Sequence, residues 1–248
     1  MNKIAITGKG GVGKTSIAAV LSILFSKEKK VIAVDADPDS NLAASIGFPE
    51  PGKIVPISEM KDLISERTEY KNGFFKMNPK VEDIPEKFCP EFNNIRLINM
   101  GVMKKGGSGC FCPENALVKT LVGHLLLQRD EVLIMDMPAG IENLSRGTAA
   151  SVDAILIIVE PDIKSIETAR RIQILCKDLK IKKVFAIGNK VTNTDDENYI
   201  IENLKDVEIL GFICYDNFFR NFKGIISENN ISIINQIEKI KLKLGGIQ

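Results

Sequence analysis

The chain carries almost no net charge: 33 lysines and arginines stand against 32 aspartates and glutamates in 248 residues. Composition therefore supplies no pull towards a polyanion, and neither nucleic acid nor stable membrane association is expected. Long apolar runs are also missing. No uninterrupted run reaches 18 residues, and Ala154 to Val159 has the length of a buried strand rather than a membrane span. The sequence opens almost directly on an apolar strand pattern, without a charged region, a long apolar stretch and a cleavage site. Five cysteines (Cys89, Cys110, Cys112, Cys176 and Cys214) without a secretory signal read as free thiols or metal ligands rather than disulfides, and a cytoplasmic location is expected. There is one histidine, His124, inside a helical pattern where a structural role is expected.

What is present begins with Gly8-Lys9-Gly10-Gly11-Val12-Gly13-Lys14-Thr15. An apolar run, Lys3 to Thr7, precedes it, and a helical pattern with Ile17, Val20, Leu21 and Leu24 on one face follows from about Gly13 to Lys27. Strand, glycine-rich loop, helix is the context of a phosphate-binding loop. Backbone N–H groups at Gly10, Gly11, Val12 and Gly13, with Lys14, Thr15 and Ser16 at the helix start, can surround phosphate oxygens. Lys14 is placed for the β/γ-phosphates and the Thr15 hydroxyl for Mg²⁺. Strands are expected at Val31 to Val34, Ile95 to Met100, Glu131 to Met135, Asp153 to Val159, Val184 to Gly188 and Ile209 to Cys214. Helices are expected at Ile57 to Glu66, Ala116 to Leu127, Ser165 to Leu179 and Ile231 to Leu244, the last docking through Ile234, Ile237 and Ile240. Lys239, Lys241 and Lys243 leave a membrane-surface helix as its alternative. The alternation predicts an α/β fold: a P-loop NTPase three-layer sandwich around a central, mostly parallel sheet, with residues 1–248 as a single domain.

Carboxylates follow two of these strands. Asp35-Ala36-Asp37-Pro38-Asp39 has the form of a nucleotide-sensing switch, with Asp37 the leading candidate; Asp39 or Ser40 can cap the next helix. Asp136-Met137-Pro138-Ala139-Gly140 follows the fourth strand pattern. Its carboxylate can accept from Mg²⁺-bound water, and Gly140 can bring an N–H near the γ-phosphate. Asn189-Lys190 can pair an amide with adenine and pack a lysine stem on the ring. Phe218, Phe219 and Phe222 pack either near the base or on the domain body. Cys110-Phe111-Cys112 is a separate feature: in extended backbone both thiolates face one way and supply half of a tetrahedral sulfur site. A two-fold homodimer would supply the other half, with Cys89 an unplaced alternative.

Together these residues resemble the deviant Walker A ATPases, the class of the nitrogenase iron protein, MinD and ParA. The signature is Lys9-Gly10-Gly11-Val12-Gly13-Lys14-Thr15. Within that class the stretches 109–115, 136–142 and 146–148, with Glu160-Pro161 and Asn189-Lys190, are most similar to the CooC-type nickel-insertion ATPases of carbon monoxide dehydrogenase maturation. The resemblance implies an ATP-dependent homodimer that binds ATP/ADP and Mg²⁺ and hydrolyses ATP. It implies that Lys9 reaches phosphates across the interface and Lys14 those of its own subunit. It further implies that Thr15 ligates Mg²⁺, Asp37 positions water, Asp136 supports the Mg²⁺ shell, and Cys110 and Cys112 share Ni²⁺ or Zn²⁺ between subunits. The client would be a nickel enzyme, carbon monoxide dehydrogenase or acetyl-CoA synthase. Two other outputs stand beside this one: an ATPase bearing an iron–sulfur cluster, and a partition or positioning switch without metal.

Overall fold

A computed structural model describes residues 1–101, 112–128, 131–141, 151–217, 219, 222, 224 and 231–246. Its frame is an eight-stranded sheet. In chain order the strands are β1 (Lys3–Gly8), β2 (Val31–Asp35), β3 (Glu91–Phe92), β4 (Ile95–Asn99), β5 (Val132–Asp136), β6 (Ala154–Val159), β7 (Val184–Val191) and β8 (Glu208–Cys214). They lie in the order β3-β4-β2-β5-β1-β6-β7-β8, all parallel except the short edge strand β3. Described helices are α1 (Lys14–Ser26), α2 (Leu42–Ile46), α3 (Lys61–Thr68), α4 (Ile84–Phe88), α5 (Pro113–Gln128), α6 (Ile163–Asp178), α7 (Thr194–Asn203) and α8 (Ile231–Gly246).

The central strands β1, β2, β5 and β6 are almost wholly apolar because both faces are covered. Successive residues alternate between two cores, as the two-residue period of a strand requires. Ile4 and Ile6 of β1 pack with Ile17, Leu21 and Leu24 of α1, Leu42 of α2 and Ile237 of α8. Ala5 of the same strand points to the other core, which holds Leu121 of α5, Ile166 and Ile172 of α6 and Ile200 of α7. No helix among the described residues is long and apolar enough to cross a membrane.

The expected strands and helices are found, with shifted ends. The expected helix 57–66 divides: a 3₁₀ turn at Ile57–Glu59 is followed by α3, because Met60 leaves helical backbone (ψ 75°). The Ser58 N–H there bonds to the Met100 carbonyl just past β4, pinning the turn. Helix α7 was not expected. It buries one helical side chain, Ile200, so apolar periodicity gave no signal. Its legible signs were Asn193, whose side chain accepts from the Asp196 N–H, and the acidic first turn of Asp195, Asp196 and Glu197. Phe222 is buried and Phe219 packs beside it, edge to face with ring centres 6.4 Å apart, on the α1/α8 side. Phe218 lies outside the described residues.

Candidate functional site

The sheet order brings the sequence motifs to one edge. β1 lies between β5 and β6, with Ile6 in register with Asp136 and Gly8 with Ile158. Asp35 is level with Asp136 across the β2–β5 pair, and Val159 with Gly188 across β6–β7. Carboxyl-terminal ends of parallel strands at a point where connections diverge form a crevice. Here that edge collects the Gly8–Thr15 loop, the two acidic motifs, Glu160-Pro161-Asp162 and Asn189-Lys190.

Helix α1 starts from Gly13, which sits in left-handed backbone (φ 94°) with no side-chain cap and no acidic residue in the first turn. Its first N–H groups and positive dipole end are therefore left for an anion. A β-carbon on Gly13 would stand 2.6 Å from the Asn189 amide nitrogen, so the position suits only glycine. Lys14 is buried, and its ammonium bonds back to the Lys9 carbonyl at 3.2 Å. Thr15 and Ser16 are half-buried beside it. Gly10 and Gly11 face open space, with nothing within 4 Å of where a β-carbon would be.

Lys9 does not curl into the loop. Its ammonium lies 3.2 Å from the Asp162 carboxylate, the N-cap of α6, which also accepts the Ser165 N–H at 3.0 Å. Burial pushes the Asp162 carboxyl up, but the Ser165 N–H and the Lys9 ammonium outweigh it and hold it below the ordinary range. The D-x-x-S cap was legible, whereas its pairing with Lys9 depends on the β1–β6 register.

Asn189 and Lys190 both turn onto the loop. The Asn189 amide nitrogen donates to the Val12 carbonyl at 2.7 Å, and Lys190 donates to the Gly11 carbonyl at 2.7 Å while pairing with Glu160. In this structure the pair fastens the loop; the Asn189 amide oxygen is buried without a partner. No spacing or composition signalled this fastening, nor the part played by Thr7. The Thr7 hydroxyl donates to the Gly140 carbonyl at 2.7 Å and accepts the Gly140 N–H at 3.2 Å, tying the second acidic motif to β1.

The two acidic motifs differ in environment. Asp35 accepts the Asp37 N–H at 3.3 Å and the Leu42 N–H at 2.9 Å. It thus serves the start of α2, the task expected of Asp39 or Ser40, because α2 begins directly above the end of β2. Burial pushes the Asp35 carboxyl up to about 6. Asp37 is half-buried and accepts the Asp39 N–H at 3.1 Å. Asp136 is fully buried, and neither carboxylate oxygen has a hydrogen-bond partner. Burial raises its carboxyl to about 7, opposed by the nearby Thr15 hydroxyl, reinforced by the Asp35 charge and opposed again by Lys14. Two orphaned carboxylate oxygens beside a threonine hydroxyl fit the hydrated shell of a hard divalent cation. The residues present therefore suit Mg²⁺ with a nucleotide phosphate.

Cys112 is half-buried just ahead of α5, and Cys110 lies outside the described residues. A cavity of about 670 Å³ opens there, lined by Cys112, Glu114, Asn115, Lys61 and Tyr70. Among the described residues no three His, Cys, Asp or Glu side chains gather to hold a metal ion. Cys89 is buried, and burial pushes its thiol up to about 12, which leaves it protonated at neutral pH.

Comparison with known proteins agrees with this geometry. The family model of the CobQ/CobB/MinD/ParA nucleotide binding domain (CbiA) matches residues 3–223. The carbon monoxide dehydrogenase accessory protein CooC of Rhodospirillum rubrum is 45% identical over 221 residues, covering 87% of this chain and 84% of that protein. An uncharacterized ATP-binding protein of Methanocaldococcus jannaschii is 49% identical over 221 residues, covering 86% and 85%. Among solved structures, a plasmid partition protein of Borrelia burgdorferi superposes with TM-score 0.64 at 19% identity over 99% of both chains. The expectation that nucleic acid is no partner is corrected on two grounds. Plasmid partition proteins have this fold. Balanced total charge, on which the exclusion rested, conceals a strongly basic segment from Lys164 to Lys183. Phosphate loop, orphaned Mg²⁺-compatible carboxylate and family match agree: this chain is an ATP-binding P-loop ATPase, and it belongs to the CobQ/CobB/MinD/ParA nucleotide-binding family.

Proposed function

We propose that the protein is a nucleotide switch that works in pairs, closing two copies on ATP and relaxing after hydrolysis. The observation that carries this reading is Lys9. The loop already has a phosphate-directed lysine in Lys14. A second lysine, held by a partly exposed ion pair at Asp162, is free to be exchanged onto a phosphate of a facing copy at modest cost. In this reading Lys14 holds phosphate in its own subunit, Thr15 and Asp136 serve Mg²⁺, and Asp37 orients the attacking water. Gly140 and Asn189 respond through Thr7 and Val12 when the loop moves. Sedimentation of the wild-type protein and Lys9→Ala with Mg²⁺ and a slowly hydrolysed ATP analogue tests it. Dimer with the wild type and monomer with the variant is the expected outcome; equal dimerisation removes Lys9 from the switch.

Two outputs of the switch have support. The fold shared with partition proteins along the whole chain supports a positioning or partition switch. Nickel delivery to carbon monoxide dehydrogenase or acetyl-CoA synthase has the support of the CooC relative and of the Cys110-Phe111-Cys112 spacing. One chain supplies two thiolates of a four-ligand sulfur site, so Ni²⁺ or Zn²⁺ as cargo would bind one per dimer. Equilibrium dialysis of the anaerobic protein against Ni²⁺ or Zn²⁺, with and without ATP, separates the two. Half a metal per chain, lost in the Cys110→Ser/Cys112→Ser variant, favours delivery. Unchanged binding in that variant sinks it. Iron with absorbance near 400 nm would point instead to a cluster.

A further inference from the structure

Charge is unevenly distributed over two neighbouring helices, of which α6 begins at the nucleotide edge with Asp162 as its N-cap and runs away from it. From Ile163 to Lys183, across α6 and the turn after it, seven lysines and arginines stand against two carboxylates, Glu167 and Asp178. From Asp195 to Glu208, across α7 and the turn after it, six carboxylates stand against one cation, Lys205. The whole chain has a net charge of +1, so this is a local arrangement. Both helices lie on the same side of the sheet, following the adjacent parallel strands β6 and β7. They touch through Arg170, which donates to the Asn203 carbonyl and side chain. Among the described residues no ion pair joins α6 to α7, although opposite charges lie side by side.

Both helices also expose large apolar side chains. Ile163 and Ile174 of α6 are 68% and 60% exposed, and Ile201 of α7 is 47% exposed. Residues 163 and 174 are three turns apart, so they share one side of α6 about 16 Å apart along its axis. Exposed Lys164 and Arg171 flank that line on one side, beyond the exposed carboxylates Glu167 and Asp178, and Lys177 flanks it on the other. Apolar anchors inside a charged rim have the composition of a protein interface rather than of a phosphate-binding surface.

The partner that matches this surface is present on the same molecule. A two-fold axis running between the helices and parallel to them lays α6 of each copy on α7 of the other. The cation-rich helix of each copy then meets the carboxylate-rich helix of the other. Such self-complementarity is what an isologous contact demands. We infer that the α6/α7 face binds a second copy of this chain, in a contact separate from the ATP-driven closure at the phosphate loop. The inference does not depend on that closure, and its test is made without nucleotide.

Sedimentation velocity of nucleotide-free protein in a Lys9→Ala background excludes closure from the measurement. At about 0.1 M salt a concentration-dependent dimer is expected, weakening at about 1 M as the screening length falls from roughly 10 to 3 Å. Arg171→Glu/Lys177→Glu and Glu202→Lys/Asp206→Lys should each raise the dissociation constant at least about tenfold, because like charges then face each other. An equimolar mixture of the two variants should form a heterodimer within about threefold of the parent affinity, since one of its two α6–α7 contacts per pair becomes fully swapped and the other remains native. A protein that stays monomeric up to about 100 μM overturns the inference. So does association indifferent to both variants, or a mixture that fails to associate. Binding of duplex DNA by a monomer, lost in the α6 variant alone, overturns it too and gives the basic face to nucleic acid.

Discussion

Asp136 shows how a buried charge prepares a site at a cost to the empty protein. Its folded-state pKa of about 7 lies above that of an unfolded aspartate, near 4. The folded state therefore holds the proton more tightly, and stability falls as pH rises from about 4 through about 7. Asp35, raised to about 6 by burial, adds a loss of the same sign over a narrower window. Asp136→Asn removes the larger part. In urea unfolding with chelator and no nucleotide, the variant should be more stable than the parent at pH 8, by a few kcal/mol, with the gap closing towards pH 4. Equal stabilities at pH 8 would mean that the carboxylate finds compensation in solution. Lys9 is the other informative residue. Asp162→Asn keeps an acceptor for the Ser165 N–H, and so the cap of α6, but removes the charge that holds Lys9. A partly exposed pair contributes up to about 1 kcal/mol, so half-maximal ATP-driven dimerisation should move to an ATP concentration lower by up to about fivefold. An unshifted ATP titration would show that the pair does not restrain Lys9.

Among the elements, α8 differs most from a simple amphipathic reading. Its isoleucines dock as the sequence predicts, but Lys241 is buried with them. Its ammonium bonds to the Leu24 carbonyl at 3.1 Å and to Glu28 at 2.6 Å, and lies 5.3 Å from the Phe25 ring centre. The last turn of α1 has no basic residue, so Lys241 supplies the cation that its dipole end lacks. The lysine that could mark a membrane-facing surface is thus a tie between the C-terminal helix and the phosphate-loop helix. Lys241→Met preserves most of the stem volume and strands the Leu24 carbonyl; a loss of about 1–3 kcal/mol in urea unfolding is expected. Lys239→Met, on the exposed side, should stay within about 0.5 kcal/mol of the parent. Periodicity made α1, α5, α6 and α8 legible because each buries an apolar stripe. It could not reveal α7, which buries one helical residue, or Lys241, whose acceptor lies on a helix more than 200 positions earlier.

At the scale of the whole molecule, motifs far apart in sequence become one site because the sheet has a single functional edge. The places of the phosphate loop, Asp136 and the Asp35–Asp39 turn were legible, since each directly follows an apolar strand. Their fastenings were not: Thr7 to Gly140, Asn189 to Val12 and Lys9 to Asp162 each depend on strand order and register. That architecture predicts how nucleotide binding spreads. A ligand held by the ends of β1, β2, β5, β6 and β7 ties five central strands together. Mg²⁺ with an ATP analogue at about one hundred times its dissociation constant should stabilise the fold by about 2.7 kcal/mol. In amide hydrogen exchange, added protection should appear at residues 8–16, 35–42, 136–141 and 188–190. The Lys71–Phe74 turn and α3, on the excursion between β2 and β4, should show none. Omitting Mg²⁺ should remove the protection at 136–141 first, and Asp136→Asn should make the pattern indifferent to Mg²⁺. Protection confined to residues 8–16, with Mg²⁺ present, would mean that the strand ends act separately and that the loop binds phosphate without engaging the acidic motifs.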